Sequence, residues 1–536
     1  MFILQYAGRM LLIGFLLFLP GQRTLHAQSA APVSPSSTGP TRPVTDGSQN
    51  TAPQTVIRVT SRLVVLDIVV TDKQGKPVTD LTRDDFEITE GKDPQRVRSF
   101  EAPISHALPA GALVHSSADI AKIGNSPVNI LVLDALNTRF EDNAFSQHSL
   151  LKFLDRQPAI MPPTTLLVAN DKRFAVLQDY TQERDVLEAA LKRNPVQYPW
   201  RLARNGDTST EGVIRLMQSL NALQEIAQAA AGTQGRKNIM WVGKGFPSVD
   251  MTGMDDASSK PLKDAIKRCI DLLLSSRVTL YIIDPTPLSS TMYDISTPND
   301  LATLEAETGT EPFGDAIRFS ALAPATGGRV FSARNDVDKE IATSMRDGSL
   351  YYTLSYAPTG VSDEPGAYRN IHVTLKRPGL TAATRDGYYT QSQPGDLPAT
   401  VEPGAAKLAE GVEVMDVANA VLSKMVYNGV KIRAAKGARG RYTLAIADAT
   451  LNWQPNAKSG FDAPISIVAV CFSASGKVLS HTAEERVLNN MSPSANASSE
   501  EIIMAPVMIP AGTARLRFVV RNSVTGRLGS ADIENP

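Results

Sequence analysis

The residues best placed for chemistry stand at the ends of apolar runs. Four runs, Asn129–Asp134, Thr164–Asn170, Lys237–Val242 and Val278–Asp284, read as strands, and at or just past their ends stand Asp134, Asn170, Lys244 and Asp284. In an open parallel sheet, ligands settle beyond the carboxyl ends of the strands. A carboxylate in that place suits a metal ion or another cation, because hard cations take oxygen ligands.

Other chemistries lack their parts. The turn after the first of these strands, Asp134-Ala-Leu-Asn-Thr-Arg-Phe140, has no glycine to let backbone approach a phosphate, which excludes dinucleotide binding. No GxxxxGK[ST], HExxH, GxSxG or EF-hand loop occurs. The histidines (His26, His106, His115, His148, His372 and His481) form no metal-type pair four residues apart. Two cysteines, Cys269 and Cys471, are too few for a zinc cluster, an iron–sulfur site or a disulfide framework. Cys269 shares one helical face with Leu262, Ala265, Ile266 and Leu273 and reads as a small core hydrophobe. No catalytic residues are assigned. With 54 Lys and Arg against 55 Asp and Glu, the net charge of −1 gives no drive toward nucleic acid. The basic run Lys431–Arg441 reads as a solvated hairpin loop without the aromatic residues that stack on bases.

The elements that hold these residues follow from pattern. Between 128 and 347, strand-like runs alternate with helical ones, and most strands are continuously apolar, as expected where helices cover both faces. Besides the four runs above, strands are expected at Phe174–Leu177 and Gly328–Phe331, and helices near 143–155, 182–192, 211–231, 261–275, 313–326 and 336–346. In 211–231, Ile214, Met217, Leu220, Leu223 and Ala227 fall on one face. The prediction is a doubly wound α/β domain. Segments 55–104 and 348–390 carry short strands and read as two halves of one small β-sandwich around it. Leu350–Ala357 and Tyr368–Lys376 alternate. Residues 411–536 read as a separate C-terminal β domain, with strands at 430–433, 441–448, 464–473, 477–481, 501–508 and 514–521. Residues 28–54 and 391–410 are linker-like in composition. Residues 1–27 have the layout of an export signal: Arg9, the apolar stretch Met10–Leu19, then Leu25-His26-Ala27. The expected location is therefore secreted, periplasmic or on the outer surface, with no membrane span in the mature chain.

A doubly wound domain whose first strand ends in Asp resembles a von Willebrand factor A domain. VVTDKQGKPVTDLTRDDFEITEG before it, GRKNIMWVGKGFP within it, and YYTLSYAP and RDGYY after it resemble the VWFA-related family of secreted proteins known chiefly from Acidobacteria. The resemblance covers about residues 55–390 and implies a metal-ion-dependent adhesion site. In such sites a divalent cation, commonly Mg2+, is held by Asp-x-Ser-x-Ser, a Thr from a second loop and an Asp from a third. Asp134 matches the first Asp. Leu136 replaces the first Ser, Thr138 keeps a hydroxyl at the second, and Asn137 offers a displaced oxygen. Thr208 or Thr210 stands for the Thr, and Lys244 replaces the third-loop Asp. The loss of one oxygen and the added ammonium weaken a cation site, and Lys244 is a candidate to replace the metal as the charge partner of Asp134.

The function expected is non-enzymatic adhesion to a protein or cell-surface partner through loops 134–142, 205–211 and 243–260. Two alternatives stand beside it: a scaffold with no ligand at this face, and an extracytoplasmic enzyme with a dispersed site.

Overall fold

The run VNILVLD forms strand β1 (Val128–Asp134), and every residue in it is buried. Strand side chains alternate between faces. Ile130 and Val132 enter one core, and Leu131 and Leu133 enter the other. A continuous apolar run thus serves two layers of helices at once.

A computed structural model describes residues 63–170, 174–196, 209–247, 249–250, 256–286, 316–317, 321–332, 336–359, 367–390, 417–418, 420–423, 425–437, 441–456, 460–493 and 499–536. The expected signal (1–27), both expected linkers and Thr208 lie outside these residues. The chain is mixed α/β, with many strands and few helices.

Around β1 lie β2 (Ile160–Ala169), β3 (Phe174–Glu183), β4 (Lys237–Val242), β5 (Val278–Ile283) and β6 (Val330–Phe331), in the order β6-β5-β4-β1-β2-β3. Only β3 is antiparallel to its neighbour. Helices α1 (Phe140–Asp155), α2 (Arg184–Arg193) and α6 (Val337–Ser349) pack on Leu131, Leu133, Met240 and Ile283. Helices α3 (Ser209–Ala230), α4 (Asp256–Ser275) and the single turn α5 (Leu322–Ala325) cover the other face with Trp241 and Ile282. Strand order reverses between β1 and β4. That crevice is where the topology of an open sheet places ligands.

Three expectations change. The buried stripe of α3 runs through Leu216, Leu220, Leu223, Ala227 and Ala230, and Ile214 is 38% exposed. Both stripes have helical spacing, so tertiary packing selects between them. Of the helix expected at 313–326, the described residues show the turn α5 and a strand pair: Ala316–Ile317 pairs with Val249–Asp250, so its backbone joins a sheet. The basic run is not one loop. Ile432–Lys436 is itself a strand paired with Arg441–Ala447 around a Gly437–Arg441 turn bond.

The segments on either side of the α/β sheet pair with each other. Val64–Asp72 lies between Tyr352–Tyr356 and Leu380–Ala383, and Val97–Glu101 borders Tyr352–Tyr356. A second sheet orders Gly387–Tyr389, Tyr368–Leu375, Phe86–Glu90 and Asp93–Gln95. The two sheets share a core of Leu66, Ile68, Ile88, Tyr352, Leu354 and Tyr356. Tyr352–Tyr356 is buried at every position despite its alternating sequence, since its polar face, with Thr353, meets Asp67, His106 and Arg277.

The C-terminal strands form two sheets over Leu444, Ile465, Ile503 and Phe518. Val478–Asn490 is longer than its polar sequence suggests, held by a ladder along Phe461–Phe472, and Leu528–Glu534 is a further strand. Arg517, fully buried, binds the carbonyls of Ala420 and Met425, so the segment before these strands is clamped onto them. No described helix is long and apolar enough to cross a membrane.

Candidate functional site at the end of β1

Asp134 ends β1 and is 1% exposed. Its Oδ1 accepts the N–H groups of Leu136 and Asn137, both at 2.9 Å. A carboxylate bonding its own backbone two and three residues on is the ordinary way an Asp shapes a turn. The turn then binds both neighbouring elements. Asn137 Nδ2 donates to Ser219 Oγ of α3 at 3.0 Å, and Ser219 in turn donates to the Arg215 carbonyl at 2.9 Å. Thr138 Oγ1 accepts the Lys244 N–H, just past β4, at 2.9 Å. Gly243 seals the junction. A Cβ there would lie 2.3 Å from Asp134 Cβ, 2.5 Å from Thr138 Oγ1 and 2.9 Å from Asp134 Oδ2.

Two oxygens in this turn, Asp134 Oδ2 and Asn137 Oδ1, are buried without a hydrogen-bond partner. Burial pushes the Asp134 carboxyl up to about 6, against the opposing pull of the Asn137 N–H, the Trp241 indole, the Leu136 N–H and the Thr138 hydroxyl. The indole and hydroxyl act on the carboxylate without closing a hydrogen bond to Oδ2. The site is thus short of positive charge. Its donors, a carboxylate oxygen, an amide oxygen and a hydroxyl with a spare lone pair, fit a hard cation.

The expected residues distribute as follows. Asp134, Asn137 and Thr138 meet in one turn. Leu136 is buried and serves through its N–H, not its side chain. Thr210 lies in the first turn of α3, with its side chain outside the description, as is all of Thr208. Lys244 contributes its backbone. Its side chain is exposed and makes no ion pair with Asp134 among the described residues, so the expected charge substitution is not what this geometry displays. Its ammonium is the weakest of the influences on Asp142, in the first turn of α1. Burial raises the Asp142 pKa, Arg139 opposes that, and Asp284 and Glu141 raise it further. Asp284 Oδ1 caps the Thr286 N–H at 2.9 Å. Among the described residues no group of three or more His, Cys, Asp or Glu side chains is placed to hold a metal.

No protein-family model and no curated protein matches the chain. Among solved structures it is similar to the VWA domain of SpRpn10, at 16% identity and TM-score 0.15, over 30% of this chain and 89% of that one. It is also similar to the N-terminal domain of TFIIH p34, at 12% identity and TM-score 0.15, over 30% of this chain and 81% of that one. Human COPII-coat protein Sec24c matches at 12% identity and TM-score 0.23, over 55% of this chain, which spans about half (48%) of the Sec24c chain. The likeness to a von Willebrand factor A domain is therefore weak.

Sequence reasoning missed a polar cluster at the opposite end of the sheet. Arg236, fully buried at the start of β4, donates to Asn238 Oδ1 at 3.1 Å and to the Tyr281 hydroxyl at 3.0 Å, and lies over the Tyr351 ring. His106 stacks on Tyr351 and faces Thr353 Oγ1 at 3.2 Å. Arg277 binds Asp67 Oδ1 at 2.6 Å and Thr353 Oγ1 at 3.0 Å. Lys237 Nζ donates to the carbonyls of Thr233 and Ser276 at 2.7 and 2.8 Å. Burial depresses the Lys237 pKa to about 7 and the His106 pKa to about 4. The available signal was the Gly-Arg-Lys-Asn sequence ahead of an apolar strand. Two cations entering a buried strand need partners waiting for them.

Proposed function

We propose that the chain is an exported, non-catalytic binding protein. Its von Willebrand factor A-like domain engages a protein or cell-surface partner through the loops at the carboxyl ends of β1 and β4. Asp134 is the centre of that face. A weakly held divalent cation, Mg2+ by chemistry, would bind Asp134, Asn137 and Thr138, and one carboxylate of the partner would complete its shell.

One observation carries this reading: two partnerless buried oxygens on a single turn, at the point where the sheet order reverses. A cation would satisfy both and remove the cost of a charged, desolvated carboxylate. The exported location rests on the sequence of residues 1–27.

Calorimetric titration of Mg2+ and Mn2+ into the chain purified from the exported fraction tests the proposal, with Asp134→Asn and Asp134→Ala as controls. Saturable binding with Kd near 10⁻⁴–10⁻³ M, typical of weak extracellular oxygen sites, supports it when both variants lose that binding. No binding at millimolar cation overturns the metal-bridged form and leaves the scaffold reading in its place.

A further inference from the structure

A cavity lies beside β1, β2 and β3, against Val128, Thr165 and Leu177. Its volume is about 250 Å³. The walls come from the sheet (Ile130, Leu167, Val176), from α3 (Ile226, Ala230) and from Met425 of the segment that leads into the C-terminal sheets. Voids larger than a water molecule are few in native cores. This one sits where two packed regions of the chain meet, a common place for ligand sites.

Several of its polar groups are already committed. Thr165 Oγ1 donates to the Gln178 carbonyl at 2.7 Å, and Thr233 Oγ1 to the Ala230 carbonyl at 2.7 Å. The one carboxylate in the wall, Asp179, is spent: Oδ2 accepts from Ser117 N and Oγ at 2.9 and 3.0 Å, and Oδ1 accepts the Tyr180 N–H at 2.8 Å. Most of the wall surface is nonetheless apolar, and that part gives water none of the two to four polar partners it needs. An anionic guest would find no counter-ion, and a cationic one only a carboxylate whose oxygens already accept three hydrogen bonds. An aliphatic cavity of about 150 Å³ is known to admit benzene, so this one has room for two fused rings. Met425 and Tyr180 in the wall favour a flat π-system through sulfur–aromatic and edge-to-face contacts.

We propose that this cavity is a binding site for a small neutral aromatic molecule of one or two rings, and that its occupancy strengthens the seating of the C-terminal sheets on the α/β sheet. The coupling follows because one wall is shared by both regions: Ile226 and Ala230 of α3 and Met425 of the segment that leads into the C-terminal sheets.

Indole is the probe, titrated into the full chain by calorimetry and followed by thermal unfolding. Saturable binding at sub-millimolar Kd with a dose-dependent rise in Tm is expected. Val176→Phe places a ring in the cavity, so it should raise Tm without indole and weaken indole binding at least tenfold. Ala230→Leu is read the same way if Val176→Phe does not fold. Absence of indole binding to the wild type, or binding of equal strength in the filled variants, would overturn the proposal.

Discussion

Lys244 meets Thr138 through its backbone, donating its N–H to the hydroxyl oxygen at 2.9 Å, while its side chain stands in solvent. The two parts of Lys244 therefore have separate consequences. Lys244→Ala should change stability by no more than about 0.5 kcal/mol, as exposed positions do. Thr138→Val strands the N–H and should cost about 1–3 kcal/mol. Urea unfolding midpoints of the two variants compare them directly. Equal effects would contradict the separation.

Gly243 stands where any side chain collides with Asp134 and Thr138. Gly243→Ala should destabilise by about 1–3 kcal/mol through overpacking. It should also weaken any cation response, because the new methyl crowds Asp134 Oδ2. A variant as stable as wild type would show that the turn shifts freely.

Asp134 gives a pH signature of defined sign. Its carboxyl is raised from 3.8 to about 6 by burial, so the folded state holds this proton more tightly than the unfolded state. The contribution to stability is intact below about pH 4, falls as pH rises to 6, and stays lost above that. Asp134→Asn keeps an acceptor for both N–H groups and removes the charge. Relative to wild type it should gain up to about 3 kcal/mol between pH 4 and 7 in the absence of cation. A flat difference across that range would refute the raised pKa.

His106 titrates with the opposite outcome. It stays neutral when folded down to about pH 4, mainly through burial, with Arg277 and Arg236 nearby opposing the pull of Asp67. The unfolded chain takes up this proton below about 6.5, so stability falls as pH drops from 6.5 to 4, by up to about 3 kcal/mol. Asp67 does not blur the window. Although burial opposes it, the neighbouring Arg277 and Arg236 hold its pKa below 3.8, and its own loss begins at lower pH. His106→Gln should flatten the acid limb. An unchanged slope would place the acid sensitivity elsewhere.

The Asp67–Arg277 pair joins the flanking sheet to the loop before β5. The pair is only partly buried, so Asp67→Ala, which removes the acceptor of charge-assisted hydrogen bonds, should cost about 1.5–3 kcal/mol. Exchange of amides in Tyr352–Tyr356 should accelerate with it. Protection equal to wild type in that strand would sink this role.

Hydrophobic runs were legible where burial decides everything. β4 occupies the residues its sequence marks, and β1 differs by one. Legibility failed where pairing, not composition, fixes the element: Val478–Asn490 is polar and outward, yet a long ladder holds it as a strand. It also failed on α3, where two overlapping stripes have the same spacing. At the site, the turn holding Asp134 and Thr138 was readable from the strand end and the resemblance. The role of Lys244 was not, because sequence names a side chain while the structure uses its amide. The GRKN and YYTLSY stretches, which carry much of that resemblance, lie in or beside the polar cluster under the sheet and serve packing, not the upper loops.

The chain leaves the flanking sandwich along Val97–Glu101 and returns along Tyr352–Tyr356, and these strands are hydrogen-bonded neighbours, with Glu101 opposite Thr353. The α/β sheet is therefore held by two covalent arms side by side, about one strand spacing apart. A protease that severs one arm leaves the other, and the nicked chain stays joined. Release takes two cuts.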